Sequence, residues 1–283
     1  MKPLITVIIP VYNGAMLISQ CLNALHEQTF EHFVCYVIND GSTDQTYNTV
    51  KTITQYDPRF KIINKVHAGT SSARNQGLYN VHTKYLCFLD CNDIPLPNML
   101  EKLYNMAEDV NADIAIANFA YSNNYDENSK KNESNLIYKT LTNIQAINHM
   151  LLGQEISTKM PCKLFKYSNI ADVFFDERIH INEDALFLLS AFRRASIVLY
   201  SEETVNIRKN FDHPYPKGSA GKRRLSSLNA SLYIMRGLND LDVQTQLNGV
   251  YYTVNNALKV ALDLYSHKTP TAAKAKKLSS NIC

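Results

Sequence analysis

The residues Phe88-Leu89-Asp90-Cys91-Asn92-Asp93-Ile94-Pro95 gather carboxylate and amide oxygens directly after an apolar run. Clustered oxygens suit a hard cation such as Mg²⁺ or Mn²⁺, and such a cation typically carries the phosphates of a nucleotide. The same residue types also suit a plain turn, since Asp and Asn hydrogen-bond their own backbone. The choice between the two rests on what other parts of the chain bring to the same place.

The elements around this cluster set its position. Tyr85–Leu89 has the length and composition of a buried strand, and Pro95 and Pro97 bar a continuing strand and suit a helix start. Upstream, Ile5–Ile9 reads as a strand ending in Pro10-Val11-Tyr12-Asn13-Gly14, followed by a helix over Ala15–Glu27. Phe33–Ile38 is a second strand ending in Asn39-Asp40-Gly41, and Ser42-x-x-Gln45 has capping-box spacing. Lys61–Asn64 is a third strand, Gly69 opens a helix to Leu78, and a helix over Pro97–Glu108 and a strand over Asp113–Ala117 follow. Strands alternating with helices predict an α/β fold with a doubly wound, mainly parallel, Rossmann-like sheet. Ligands bind such sheets at the carboxyl ends of the strands. Those ends carry Tyr12-Asn13, Asn39-Asp40 and Asp90, so polar and aromatic groups converge on one edge.

Beyond this unit, Ser122–Asn135 has a single large apolar side chain, Tyr125, and reads as an exposed loop. Thr142 with Gln145 makes a second capping box, and Gly153 suits the helix end. Lys163-Leu164-Phe165 is a short mixed run, and Asn182-Glu183-Asp184 leads into an apolar helix over Ala185–Ala195, with Asn182 as its expected cap. After about residue 207 the composition shifts. Leu225, Leu228, Leu232, Met235 and Leu238 share one helical face, and Leu247, Val250, Val254, Leu258 and Ala261 share another. Two long helices packed on the body are expected, with domain limits of 1–205 and 206–283.

Composition narrows the function classes. A net charge of +3 is too small to argue for nucleic acid. The six cysteines contain no Cys-x-x-Cys pair, which predicts free thiols in a reducing compartment. No apolar run approaches the ~18 residues of a membrane span, so a cytoplasmic protein is expected. A nicotinamide-dependent oxidoreductase is disfavoured because no Gly-x-Gly-x-x-Gly follows the first strand. A nucleotidyltransferase would be expected to carry a basic, glycine-rich loop there, and this chain has none.

Five spaced motifs carry a specific resemblance over about residues 1–205. They are Pro10-Val11-Tyr12-Asn13, Asn39-Asp40-Gly41-Ser42-Thr43-Asp44, Gly69-Thr70-Ser71-Ser72-Ala73-Arg74-Asn75, Phe88-Leu89-Asp90-Cys91-Asn92-Asp93 and Asn182-Glu183-Asp184. Together they resemble the inverting family 2 glycosyltransferases of the GT-A fold, of the kind that build bacterial surface polysaccharides. The resemblance implies transfer of a hexosyl or N-acetylhexosaminyl group from a nucleotide sugar, a UDP-sugar, to a hydroxyl of a glycan, lipid-linked or protein-linked acceptor. It also implies Mn²⁺ or Mg²⁺.

On this resemblance Pro10, Val11, Tyr12 and Asn13 line the donor site, with Tyr12 able to stack on the base. Asp40 would accept the base N–H, and Arg74 would hold donor phosphate or anchor the metal-loop carboxylate. Asp90 would sit on the ribose or near the metal, and Cys91 would contribute backbone. Asn92 stands where family members commonly have a metal-binding Asp. Asp184 would be the catalytic base, with Glu183 in reserve. Ser42 and Asp44 are assigned to capping. Lys163, Arg208 and Ser219 occupy places where the family has basic or phosphate-contacting residues, although Pro161-Cys162 replaces the usual aromatic before Lys163. His213 is close enough in sequence to be a candidate ligand, beside the plainer reading of a solvated loop residue. The basic residues Lys217, Lys222, Arg223, Arg224, Lys274, Lys276 and Lys277 make a solvated face or a peripheral attachment to anionic lipid. The alternative to an enzyme is a catalytically degenerate nucleotide-sugar-binding or scaffold protein.

Overall fold

A computed structural model describes residues 2–122, 137–209 and 220–266. The expected loop at Ser122–Asn135 lies outside them except for Ser122, and so do Lys217, His213, Ser219, Lys274, Lys276 and Lys277. The chain runs β1 (Ile5–Val11), α1 (Ala15–His26), β2 (Phe33–Asn39), α2 (Thr46–Thr54), β3 (Phe60–Asn64), α3 (Thr70–Leu78) and β4 (Tyr85–Phe88). It continues with β5 (Asp93–Pro95), α4 (Met99–Asp109), β6 (Ile114–Tyr121), β7 (Lys139–Leu141), α5 (Asn143–Leu152) and β8 (Lys163–Lys166). The last elements are α6 (Glu183–Arg194), β9 (Val198–Arg208), α7 (Ala220–Arg236) and α8 (Val243–Ser266).

The strands form one sheet in the order β3-β2-β1-β4-β8-β6-β9-β5, with β7 also pairing β9. The first four are mutually parallel, as the alternation with helices predicts. The second half is mixed: β8 runs antiparallel to both β4 and β6, whereas β6 and β9 are parallel. Helices cover both faces, so β1 is buried along its whole length. Ile5, Val7, Ile9 and Val11 pack with α1 and α4, while Ile8 packs on the other side with Phe88, Phe165 and the apolar face of α6. A strand buried on both faces has no polar face to alternate with, which is why it reads as a continuous apolar run.

Four expectations need correction. Pro95 does not exclude a strand: Asp93–Pro95 forms β5, at the edge of the sheet, where a missing N–H leaves no ladder bond broken. Ser42 and Gln45 do not form a capping box, because Ser42 Oγ instead accepts the Asn13 N–H at 3.0 Å, and α2 starts only at Thr46. Asp44 does meet the helix start, accepting the Thr46 N–H at 3.0 Å. Asn182 stands at the start of α6 in the left-handed region (φ 67°) and makes no side-chain cap. Its amide donates to Ser227 Oγ at 2.9 Å. By contrast Thr142 and Gln145 form the expected box, and Gly153 ends α5 at φ 62°.

The fourth correction concerns α7 and α8. Both pack on the body, α7 against α6 and α8 against α5. Their inner faces are not the predicted leucine stripes, of which only Leu238 is fully buried. Ser226, Ser227, Ala230, Ser231 and Ile234 are buried on α7, and Thr245 and Asn248 on α8. Small residues allow the close approach: a Cβ on Gly249 would lie 2.4 Å from Leu238 Cδ1. Asn256 bridges the pair, donating to Ser227 O, Ser227 Oγ and Ser231 Oγ at 2.7–2.9 Å.

Candidate active site

The site begins where β1 and β2 end side by side. After Val11 the chain turns through Asn13 at φ 48°. Asn13 Oδ1 accepts the Thr43 N–H at 2.8 Å, and Thr46 Oγ1 accepts the Gly14 N–H at 2.9 Å. These bonds tie the Pro10–Asn13 turn to the loop after β2. Gly41 makes that second turn possible, with φ 71° and a Cβ position only 2.8 Å from the His67 nitrogen.

Asp40 is buried and organises the loop that enters α3. Its Oδ1 accepts from Lys65 Nζ at 2.7 Å and from the Ala68 N–H at 3.0 Å, and its Oδ2 accepts from the Gly69 N–H at 2.8 Å. His67 Nδ1 lies 2.7 Å from Oδ2. The His67 ring stacks on Tyr12, centroids 3.9 Å apart and planes 22° from parallel. Tyr12 and Asp40, expected to read a base, are thus joined by one planar side chain. His67 carries no motif signature, since its role depends on a fold that brings residue 12 beside residue 67.

Arg74 is the hub. It is 2% exposed, and its Nη2 donates to Asp90 Oδ1 at 2.9 Å while Nη1 donates to Asp184 Oδ1 at 2.6 Å and Glu183 Oε1 at 3.4 Å. The guanidinium lies over the Phe175 ring at 5.1 Å. One cation thereby joins the loop after β4 to the start of α6. Arg208, at the end of β9, holds the other Asp90 oxygen at 2.5 Å and approaches Asp93 Oδ1 at 3.4 Å.

Burial alone would raise the Asp90 pKa, but the two guanidinium groups outweigh it and hold this carboxyl well below the usual range. Asp93 shifts the other way. Burial raises it, Arg208 only partly offsets that, and the charge on Asp90 adds to the rise. Asp93 Oδ2 also accepts the Asp90 N–H at 2.7 Å, and Asn206 Nδ2 donates to Oδ1 at 3.1 Å, so this side chain shapes the loop from behind. Glu183 is likewise raised, by burial first and by Asp184 second, with Arg74 opposing.

Cys91 is half-buried with its thiol pushed up to about 12, by burial and then by Asp90 and Asp93. Such a thiol stays protonated at neutral pH and is no nucleophile. Asn92 Nδ2 donates to Lys209 O at 2.8 Å, clamping the loop to the end of β9. Lys163 is buried, bonds the Lys159 carbonyl at 2.5 Å, and has its pKa lowered to about 8 by desolvation.

Among the described residues no three His, Cys, Asp or Glu side chains form a cation cage. Asp90 and Asn92 are the oxygen donors at the loop tip. Both Asp90 oxygens are engaged, by Arg74 and Arg208, so the pair suits only a divalent cation that brings further anionic oxygens and displaces one of those contacts. Arg74, Asp90 and the two acids of α6, all named from the sequence, are brought into contact by the fold. Sequence reasoning missed Asn206 and Phe175, which lie on remote segments without a local pattern.

Comparison with known proteins bears on the fold and the family. A solved structure of S. aureus TarS 1-349 in complex with UDP-GlcNAc superposes with a TM-score of 0.68 at 20% identity, over 97% of this chain and 79% of that one. The mannosyltransferase PcManGT from Pyrobaculum calidifontis, in complex with GDP-Man and Mn²⁺, gives 0.57 at 13% identity, over 100% and 81%. The architecture is therefore that of the GT-A glycosyltransferases. Glycosyltransferase EpsJ of Bacillus subtilis (strain 168), itself described as uncharacterized, is 29% identical over 213 residues, which is 73% of this chain and 61% of EpsJ. The chain spans between 18% and 61% of the two curated relatives it matches first. The sequence model for glycosyl transferase family 2 matches residues 6–174, more than half of the chain, and the chain belongs to that family.

Proposed function

We propose that the protein transfers a hexosyl or N-acetylhexosaminyl group from a UDP-sugar to an acceptor hydroxyl, with inversion at the anomeric carbon. The sheet-bearing part of the chain, expected as residues 1–205 and carried by β9 to Arg208, is its catalytic domain, and the α7–α8 hairpin is its helical extension, at work in the cytoplasm. The observation that carries this reading is the Arg74 bridge between Asp90 and the Glu183-Asp184 pair. It sets a donor-side carboxylate and a candidate base on two sides of one buried cation.

In this reading the base takes the place on Tyr12 that the His67 ring now holds, and its N–H meets Asp40. Asp184 takes the proton of the acceptor hydroxyl as that oxygen bonds the anomeric carbon. The bond from that carbon to the diphosphate breaks on the opposite face, and UDP leaves with the electron pair. Arg74 Nη1 holds Asp184 Oδ1 at 2.6 Å and so aims the carboxylate. Asp90 and Asn92 would hold Mn²⁺ or Mg²⁺ together with the donor diphosphate. The cation, when bound, neutralises charge on the departing phosphates. Release of Asp90 from Arg208 would free an oxygen for it.

Incubation with a panel of nucleotide sugars, reading released nucleotide and transferred sugar, tests the reading. Turnover is expected with a UDP-sugar and is expected to stop in EDTA. Calorimetry should find Mn²⁺ binding weakly alone and more tightly with UDP. Nucleotide binding without turnover for any donor and acceptor would favour the degenerate, non-catalytic alternative, and turnover undiminished by EDTA would remove the metal.

A further inference from the structure

On the α7–α8 hairpin Ile234, Leu238 and Val260 are buried, but a larger set of apolar side chains points outward. Val243, Leu247, Tyr251, Val254 and Leu258 are 51–72% exposed, and Val250 is also exposed. Their spacing of three, four and one residues places all six on one stripe of α8, with no charged residue among them. Leu225, Leu232 and Tyr233 are exposed on α7. The opposite faces bury Ser227, Ser231, Thr245 and Asn248. The inner face thus mixes hydroxyls and amides with Ile234 and Leu238, while a whole stripe of Val, Leu and Tyr side chains is left exposed on the outer face. Contiguous exposed apolar surface of this kind marks an interaction site.

Charge decides the occupant. Residues 209–283 contain eleven Lys and Arg against four Asp and Glu, whereas residues 1–208 contain eighteen against twenty-two. Arg236 and Lys259 are exposed on the hairpin itself. A second copy would set one positive segment against another. An anionic lipid leaflet offers the opposite charge and an apolar interior, and Tyr233 and Tyr251 suit its boundary. No helix among the described residues is long and apolar enough to cross a membrane, so the hairpin lies on the leaflet.

We propose that the outer face of α7 and α8 docks on an anionic lipid leaflet, with α8 along the surface. The inner face of the same hairpin holds the loop that leads to Asp184: Ser226 Oγ accepts the His180 N–H at 3.1 Å, and Ser227 Oγ accepts from Asn182 Nδ2. Docking therefore fixes the base-bearing loop relative to the leaflet, a fitting arrangement for a lipid-linked acceptor. Only that consequence rests on the glycosyltransferase reading; the docking itself does not.

The test is sedimentation of the full chain with phosphatidylglycerol–phosphatidylcholine vesicles, beside pure phosphatidylcholine vesicles, at low and high salt. Binding is expected on the anionic vesicles, weakened by salt as screening shortens the reach of charge. The double substitution Leu247→Glu with Val254→Glu should lower the bound-to-free ratio about tenfold or more. Both positions are exposed, so folding and the thermal shift with UDP should survive. Equal binding by the double variant, or no binding to anionic vesicles at low salt, overturns the proposal. Light scattering that finds a dimer which the variant dissolves would instead assign the face to a second copy. A chain that binds vesicles but no nucleotide leaves docking standing and removes the transferase reading.

Discussion

The strands at the start of the chain and the hairpin near its end bury themselves by opposite rules. In β1, Ile5, Val7, Ile8 and Ile9 are all fully buried, and the apolar run is the core. In α8 an apolar stripe is outside, and the inner contacts include Thr245 with Asn148 at 2.9 Å and Asn256 with Ser227 and Ser231, beside Tyr252 and Val260. The sheet must hide its strands on both sides, so hydrophobicity there reports burial. The hairpin rests on close backbone approach and hydrogen bonds, so hydrophobicity there reports what is left to bind. The same contrast separates rigid chemistry from adaptable attachment: Arg74 and Asp184 stand on the sheet-bound part, and the leaflet face stands apart from it.

The sharpest way to separate the two regions is to remove the base. Asp184→Asn should lower turnover by ~10²–10⁴ while UDP affinity persists, because proton removal from the acceptor is lost and the donor contacts are not. Initial rates and calorimetry on the same preparation check this. Near-normal turnover would break the assignment, and a larger loss in Glu183→Gln would transfer the role to the reserve acid.

Next comes the hub. Arg74→Met leaves Asp90, Asp184 and Glu183 without the cation that compensates them, and breaking one side of a buried ion pair costs about 3–5 kcal/mol. Urea unfolding should show a loss on that scale, while Arg236→Met on the exposed hairpin should stay within ~0.5 kcal/mol. A loss under ~1 kcal/mol in Arg74→Met would mean that the acids repack or protonate without it.

How much of this was legible in the chain follows from range. The strand ends were readable because each couples an apolar run to a polar turn within a few residues, as at Val37-Ile38-Asn39-Asp40. Anchoring the carboxylate of the β4 loop was one of two roles expected for Arg74, beside holding donor phosphate, and the two acids beginning α6 were visible as a pair. Asn206 behind Asp93 was not, because 113 residues separate them and only the β5–β9 pairing joins them. Ser42 misled because capping-box spacing is also loop spacing, and its hydroxyl had a nearer donor in Asn13. The hairpin misled most. Periodicity locates an apolar face correctly but says nothing about which side of it the protein occupies.

The smallest effect tests that last point directly. Asn256→Ala removes the donor that holds Ser227 O, Ser227 Oγ and Ser231 Oγ, and both serines are buried. Ser227 Oγ keeps its bond from Asn182 and Ser227 O its bond from Ser231 Oγ, so the loss is that of ordinary hydrogen bonds, about 1 kcal/mol. Leu247→Ser, nine residues earlier on the outer stripe, deletes a large apolar group and should change stability by no more than ~0.5 kcal/mol, since that group is already in water. Chemical denaturation of the two variants in detergent-free, lipid-free buffer gives the ranking. A polar substitution more harmful than an apolar one in the same helix is the reverse of what a buried leucine stripe predicts. If Leu247→Ser is the more damaging, the stripe is packed in solution and the contrast between the two regions fails.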